Sequence, residues 1–105
     1  MIARIWRGAV RREDADAYVA YINETGLAAY AATPGNRGVI VLRRDDGDVT
    51  HFLLLTLWES LDAIRAFAGE DYDRARYYPE DDDYLLEREP FVVHYDVLAA
   101  SGVKE

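Results

Sequence analysis

The sequence predicts one small α+β domain with the element order βαββαβ: four antiparallel strands with two helices on one face. Three observations predict it. Runs of β-branched and aromatic residues stand near both ends of the chain and on either side of Asp45-Asp46-Gly47-Asp48. Two intervening segments repeat apolar residues at three- and four-residue spacing, the period of a helix with one buried face. At 105 residues the chain fits a single domain, residues 1–105, of the usual roughly 100 to 150 residues.

The elements follow in order. Ile2 to Val10 is short, β-branched and aromatic, and ends at the charged break Arg11 to Asp14, so it is the first strand. From Asp14 to Thr33 the residues Ala15, Val19, Ile22, Gly26 and Ala29 fall on one helical face, with Glu13, Asp14 and Asp16 near the end where negative charge suits the helix dipole. Pro34 and Gly35 stop that helix. Val39 to Arg44 is the second strand, and the Asp-Gly turn behind it leads into Thr50 to Trp58, the strongest strand of the chain. Its Leu53-Leu54-Leu55 centre is apolar on both faces, as a strand covered from both sides requires.

Ser60 stands at a helix N-cap, Asp62 in the first turn, and Leu61, Ile64, Phe67 and Ala68 follow at helical spacing. Gly69 ends or kinks this second helix, Asp71 to Tyr78 is read as a further turn or two, and Pro79 blocks continuation. Between Glu70 and Pro90 there are nine acids against three arginines, so the segment reads as a solvated excursion. Phe91 to Leu98 is the fourth strand, and Ser101 to Glu105 reads as a frayed tail. Right-handed crossovers turn this order into a ferredoxin-like sheet with one bare face. A leucine-bearing face of that size exceeds what monomers leave exposed, so two sheets are expected to meet as a homodimer, burying roughly 1,500 Å² or more in total.

Composition narrows the partners. Half the residues are hydrophobic, which supplies a core. A domain this short still buries only about 60 to 70% of its unfolded surface, which favours assembly. The net charge of −8 opposes attraction to nucleic acid or to an anionic membrane surface. The chain has no cysteine, so thiolate nucleophiles, disulfides and Cys-ligated metals are excluded. Arginines interrupt the apolar residues of Met1 to Val10, unlike a signal peptide, and a cytoplasmic protein is the expectation.

The junction Leu57-Trp58-Glu59-Ser60 resembles that of the antibiotic biosynthesis monooxygenase family, the dimeric α/β barrel group. The resemblance extends to Pro34-Gly35, Phe67-Ala68-Gly69 and Val93-His94-Tyr95-Asp96-Val97. It implies a homodimer with one pocket per subunit between sheet and helices. It also implies one of several activities: oxidation of polycyclic aromatics by molecular oxygen without a cofactor, haem degradation, isomerisation, or none known. Trp58 matches a pocket tryptophan of the polyketide oxidases, whereas Leu54 and Ile64 replace an asparagine and a tyrosine of those enzymes. The haem-degrading branch has a strand asparagine, a helix tryptophan and an iron-binding histidine, where this chain has Trp6, Phe67 and Tyr77. Haem degradation is therefore disfavoured, and a colourless protein without cofactor or bound metal is expected.

Trp6, Trp58 and Phe67 are candidates to bind a planar substrate, since flat aromatic faces suit such a ligand; as core filler they would look the same. Tyr72, Tyr77, Tyr78 and Tyr84 cluster after the second helix, and Tyr77 and Tyr78 are the candidates to orient a substrate oxygen or move a proton. As lip phenols these two are expected to affect turnover or affinity and not folding, while Asp82→Ala is expected to affect neither. His94 is the candidate general base, with Asp96 two residues along the strand placed to hold its imidazole; a histidine at a sheet edge or dimer interface is the alternative. His51 follows the hairpin turn and reads as exposed, and with no third ligand neither histidine suggests a metal. Arg4, Arg7, Arg43 and Arg44 read as strand arginines paired to surface acids, and Glu80-Asp81-Asp82-Asp83 as a solvated charge run. The acidic segment is expected to roof a pocket between the sheet and the second helix. The function expected from these residues is cofactor-independent oxidation, or a related proton transfer, on a hydrophobic aromatic small molecule. Its rival is a non-catalytic binding or scaffold domain.

Overall fold

The computed structural model describes residues 1–102; the final part of the tail, 103–105, lies outside the described residues. The order is β1 (Ile2–Arg11), α1 (Ala15–Glu24), α2 (Gly26–Ala31), β2 (Asn36–Asp46), β3 (Val49–Trp58), α3 (Leu61–Ala68), β4 (Leu85–Arg88) and β5 (Val93–Asp96), with short 3-10 turns at Arg12–Asp14 and Pro79–Asp83. The strands form one antiparallel sheet in the order β2-β3-β1-β4, with β5 also paired to β1. This is the predicted ferredoxin-like α+β fold with its helices on one face. No helix among the described residues is long and apolar enough to cross a membrane.

Three elements differ from the sequence reading. The first helix is broken at Thr25, whose hydroxyl donates to the Tyr21 carbonyl at 2.8 Å instead of leaving the backbone ladder undisturbed. Gly26 follows, a residue that costs helix stability, and the axis restarts there. Asp71 to Tyr78 forms no helical turns. The last strand is shorter than expected, Val93–Asp96, and a fifth strand, β4, forms ahead of it within the segment read as an excursion; between Arg88 and Val93 the chain leaves β1, where Pro90 has no N–H to give a ladder. Its backbone is satisfied elsewhere: Ala75 N–H donates to the Pro90 carbonyl at 2.9 Å and Val92 N–H to the Asp73 carbonyl at 2.7 Å. The segment read as a solvated excursion is thereby stitched along the outside of the sheet.

Register sorts the side chains. Thr50, Phe52, Leu54, Thr56 and Trp58 of β3 point beneath the helices with Arg4, Trp6 and Val10 of β1, and all of them are buried. Trp58 is fully buried; its indole N–H donates to Thr56 Oγ1 at 2.8 Å, and its ring packs against Tyr30 and Phe67. Ser60 caps α3 as expected, accepting from the Ala63 N–H at 3.2 Å. Gly35, at φ +87°, lets the β2 entry pass Ala63, where a Cβ would come within 2.5 Å of the alanine methyl. The opposite face carries Ile5, Ile40, Leu42, Leu53, Leu55, Val93 and Tyr95. Ile40, Leu42, Val93 and Tyr95 are 45 to 55% exposed, an apolar surface with no cover within the subunit.

Candidate functional site

β1 builds the floor of a cleft under α1 and α2. Trp6 lies across Gly8, where an added Cβ would come within 2.2 Å of the indole ring, so glycine two residues on is what lets the tryptophan lie down along its own strand. Arg4 and Leu54 share that floor, Tyr18, Tyr21 and Tyr30 descend from the helices, and Arg76, Tyr77, Tyr78 and Asp81 close the top. The free volume of the half-open cleft is about 50 Å³, well below the roughly 300 to 1,000 Å³ of ligand pockets. A polycyclic ligand therefore requires the roof to lift. A larger hollow of about 370 Å³ lies on the open face of the sheet among Arg7, Leu42, Arg44, His51 and Leu53. A second sheet would cover it, and it lacks the convergent buried phenols of the cleft.

The roof is held by specific bonds. Asp81, read from the sequence as part of a solvated charge run, is only 5% exposed. It accepts from the Tyr18 hydroxyl at 3.3 Å and from the Tyr78 N–H at 2.7 Å, while its neighbour Asp82 stays outside, paired to Arg88. Burial and the Asp81 carboxylate both push the Tyr18 phenol far above its ordinary range. Tyr21 rises to about 12, chiefly by burial and then by the charge of Asp81. Its hydroxyl is buried without a protein partner.

Tyr77 is in the cleft, but its oxygen is committed. It accepts from the Trp6 indole N–H at 3.1 Å and donates to the Glu89 carbonyl at 2.5 Å. The phenol thus ties β1 to the detour between β4 and β5, and burial raises its pKa. The expectation that Tyr77→Phe leaves folding intact is corrected accordingly. Removing this hydroxyl strands a part-buried indole donor, and the expected cost is about 1–3 kcal/mol, read from urea denaturation. Tyr78→Phe serves as the reference and is expected to lose less.

His94 sits on β5 in register with Arg4 and is mostly buried. Its Nδ1 is 3.2 Å from Asp73, and Tyr72 packs edge-on against the ring at 5.4 Å. The carboxylate expected to hold it, Asp96, points to the same side but is exposed. Residues two apart on a strand stand nearly 7 Å from one another, whereas the roof segment delivers Asp73 to contact distance. Burial, and then the charge of Arg4, lower the imidazole pKa; Asp73 opposes them. Nε2 is buried and unpartnered.

Trp58 and Phe67 stand behind the cleft. Phe67 stacks on Tyr30 at 4.8 Å and on Trp58 at 5.3 Å, and the guanidinium groups of Arg4 and Arg76 lie 5.7 and 5.2 Å from its centroid. Of the three tryptophan and phenylalanine candidates, only Trp6 is in the cleft wall. Arg4 departs from its reading as well, since it is 3% exposed and turned into the site, while Arg43 does pair with Asp16 and Asp45 on the surface. His51 is partly exposed on the open face near Asp46. The helix tyrosines Tyr18, Tyr21 and Tyr30 escaped the sequence reading. Tyr18 and Tyr21 stand three residues apart, and that spacing was the signal.

The profile of the family described as antibiotic biosynthesis monooxygenase matches residues 1–75. The chain belongs to that family. The match spans β1 through α3 and stops short of Tyr77, Tyr78, Asp81 and His94. Among solved structures, a proposed antibiotic biosynthesis monooxygenase from Nitrosomonas europaea is similar at TM-score 0.66 and 18% identity, covering 94% of this chain and 100% of that one. A proposed monooxygenase of the same name from Bacillus cereus is similar at TM-score 0.64 and 15% identity, covering 99% and 97%. The haem-degrader MhuD from Mycobacterium tuberculosis, with two haems bound in its active site, is similar at TM-score 0.56 and 21% identity, covering 97% and 100%. No curated protein matches the chain. At these identities the structural likeness establishes the monooxygenase family's fold and leaves the reaction to the site.

Proposed function

We propose that this family member oxidises a hydrophobic, planar aromatic small molecule with molecular oxygen, or catalyses the related proton transfer on it, without a bound cofactor and as a homodimer. The observation that carries the reading is the buried Tyr21 hydroxyl, which has no protein partner and stands in a cleft walled by Trp6, Tyr18 and Tyr30. An aromatic wall holds the ring, and a phenol without a partner is placed to donate to an oxygen of the ligand. In this reading the substrate loses a proton to become an electron-rich enolate or phenolate, which supplies the electrons that reduce oxygen. A ring methylene then becomes a carbonyl, taking one oxygen atom, and the other leaves as water. Tyr21 and Tyr78 steady the anionic oxygen, and His94, held by Asp73 behind the cleft and in register with its lining residue Arg4, is the base that the ligand reaches when the roof lifts. Its lowered pKa keeps it neutral and able to accept a proton to below the ordinary histidine range.

At the position of the iron ligand the residue present does not fit a haem. Tyr77, at the position that the resemblance aligns with the iron ligand, already gives its oxygen to Trp6 and Glu89.

Oxygen uptake with anthrone-type polycyclic phenols tests the proposal. The expected result is catalysed uptake that falls about 100-fold or more in His94→Gln and declines only at pH below the normal histidine range. Binding without uptake would leave a binding domain. A haem titration that gave a stoichiometric Soret complex would replace the aromatic substrate with haem.

A further inference from the structure

We propose that the ligand of the cleft carries an anionic oxygen, a carboxylate or an ionised phenol, and that Arg4 receives it. The inference rests on the cleft being the binding site and adds the charge of what it binds.

Arg4 is buried beneath the helices on the central strand, and its guanidinium faces the cleft. One of its terminal nitrogens donates to the Arg74 carbonyl at 3.2 Å, and its Nε has no partner. Among the described residues it makes no ion pair with a carboxylate. Asp73 is close enough to be felt, but it is largely exposed and already engaged with His94. Asp81, the acid of the cleft wall, has both oxygens committed to Tyr18 and Tyr78.

A second cation, Arg76, shares the Phe67 ring with Arg4 and also reaches the cleft, where its bond is to the Phe67 carbonyl at 2.9 Å. Two guanidinium groups therefore converge on one ring with carbonyls, π faces and, for Arg4, the neutral Tyr30 hydroxyl for company, and neither is paired to a carboxylate among the described residues, in a protein of net charge −8. Burying a cation without a counterion is costly, and two like charges side by side cost more. An anionic ligand oxygen at the free Nε offsets both. A neutral hydrocarbon would leave the cost in place. Guanidinium groups suit planar oxyanions, and the Trp6 face beside Arg4 suits the ring to which such an oxyanion is attached.

Calorimetric titration with three probes tests this: naphthoate, the isosteric and neutral naphthamide, and dinitronaphtholate, a phenol that is ionised at neutral pH. Naphthoate or dinitronaphtholate is expected to bind at least about tenfold tighter than naphthamide, and the one that does so identifies the carboxylate or the phenolate as the source. The preference is expected to vanish in Arg4→Met with naphthamide affinity kept, and to weaken in Arg76→Gln, whose side chain is on the exposed rim and whose folding is not in question. Equal affinity for all three probes, or a preference unchanged in both variants, would overturn the proposal and leave the cleft as a neutral-ligand site. Binding of none of them would overturn the cleft as the aromatic site, and this inference with it.

Discussion

Trp58→Ala is expected to lower the unfolding free energy by about 3–5 kcal/mol, the range for deleting a large aromatic from a core. The indole is fully buried, donates to Thr56 at 2.8 Å, and packs on Tyr30 and Phe67. Truncation leaves a cavity between β3 and the Tyr30 and Phe67 rings of two helices. Against a total stability of roughly 5–15 kcal/mol for a domain, this approaches global unfolding. Urea denaturation with an unchanged slope would report it. Trp58→Phe keeps a ring on Phe67 and loses the indole bond and one ring's volume, so a smaller loss is expected. If alanine cost less than about 1.5 kcal/mol, the shell around Trp58 would have to close over the gap, which the facing aromatic rings do not allow as they stand. The effect is also expected to reach ligand binding, since Trp58 supports Phe67 and Phe67 carries the guanidinium groups of Arg4 and Arg76.

The second large effect concerns assembly. Leu55 lies in the middle of the open face, paired in register with Ile5 on one side and Ile40 on the other. In the proposed homodimer this position is covered by the partner sheet. Leu55→Asp is expected to convert a dimer at micromolar concentration into a monomer, because an unpaired carboxylate buried in an apolar interface costs several kcal/mol, or a hundredfold or more in dissociation constant by order of magnitude. Sedimentation velocity decides it. The side chain is on the subunit surface, so the monomer should retain its circular dichroism. An identical sedimentation coefficient for wild type and variant would remove the sheet face as the dimer contact.

The sequence by itself determined most of the scaffold. The apolar run of β3, the Asp-Gly turn, the Ser60 cap and the apolar period of α3 are local signals, each written in residues near one another, and each is where the sequence placed it. The Trp-Glu-Ser junction carried the family for the same reason. Tertiary structure alone decided the rest, since those decisions depend on partners distant in the chain. Asp81 and Asp82 are neighbours of the same type, yet one is buried against Tyr18, 63 positions away, and the other stays in solvent. Tyr77 and Tyr78 read alike until Trp6 engages only the first. Arg4 reads as one more strand arginine until the register with β3 turns it inward beside Phe67. The acid that holds His94 comes from the roof and not from its own strand. A charged or phenolic side chain is amphipathic enough to serve at the surface or in the interior, so its own chemistry does not choose between them. The choice falls to whichever donor, acceptor or ring the fold brings opposite it, and that pairing is long-range.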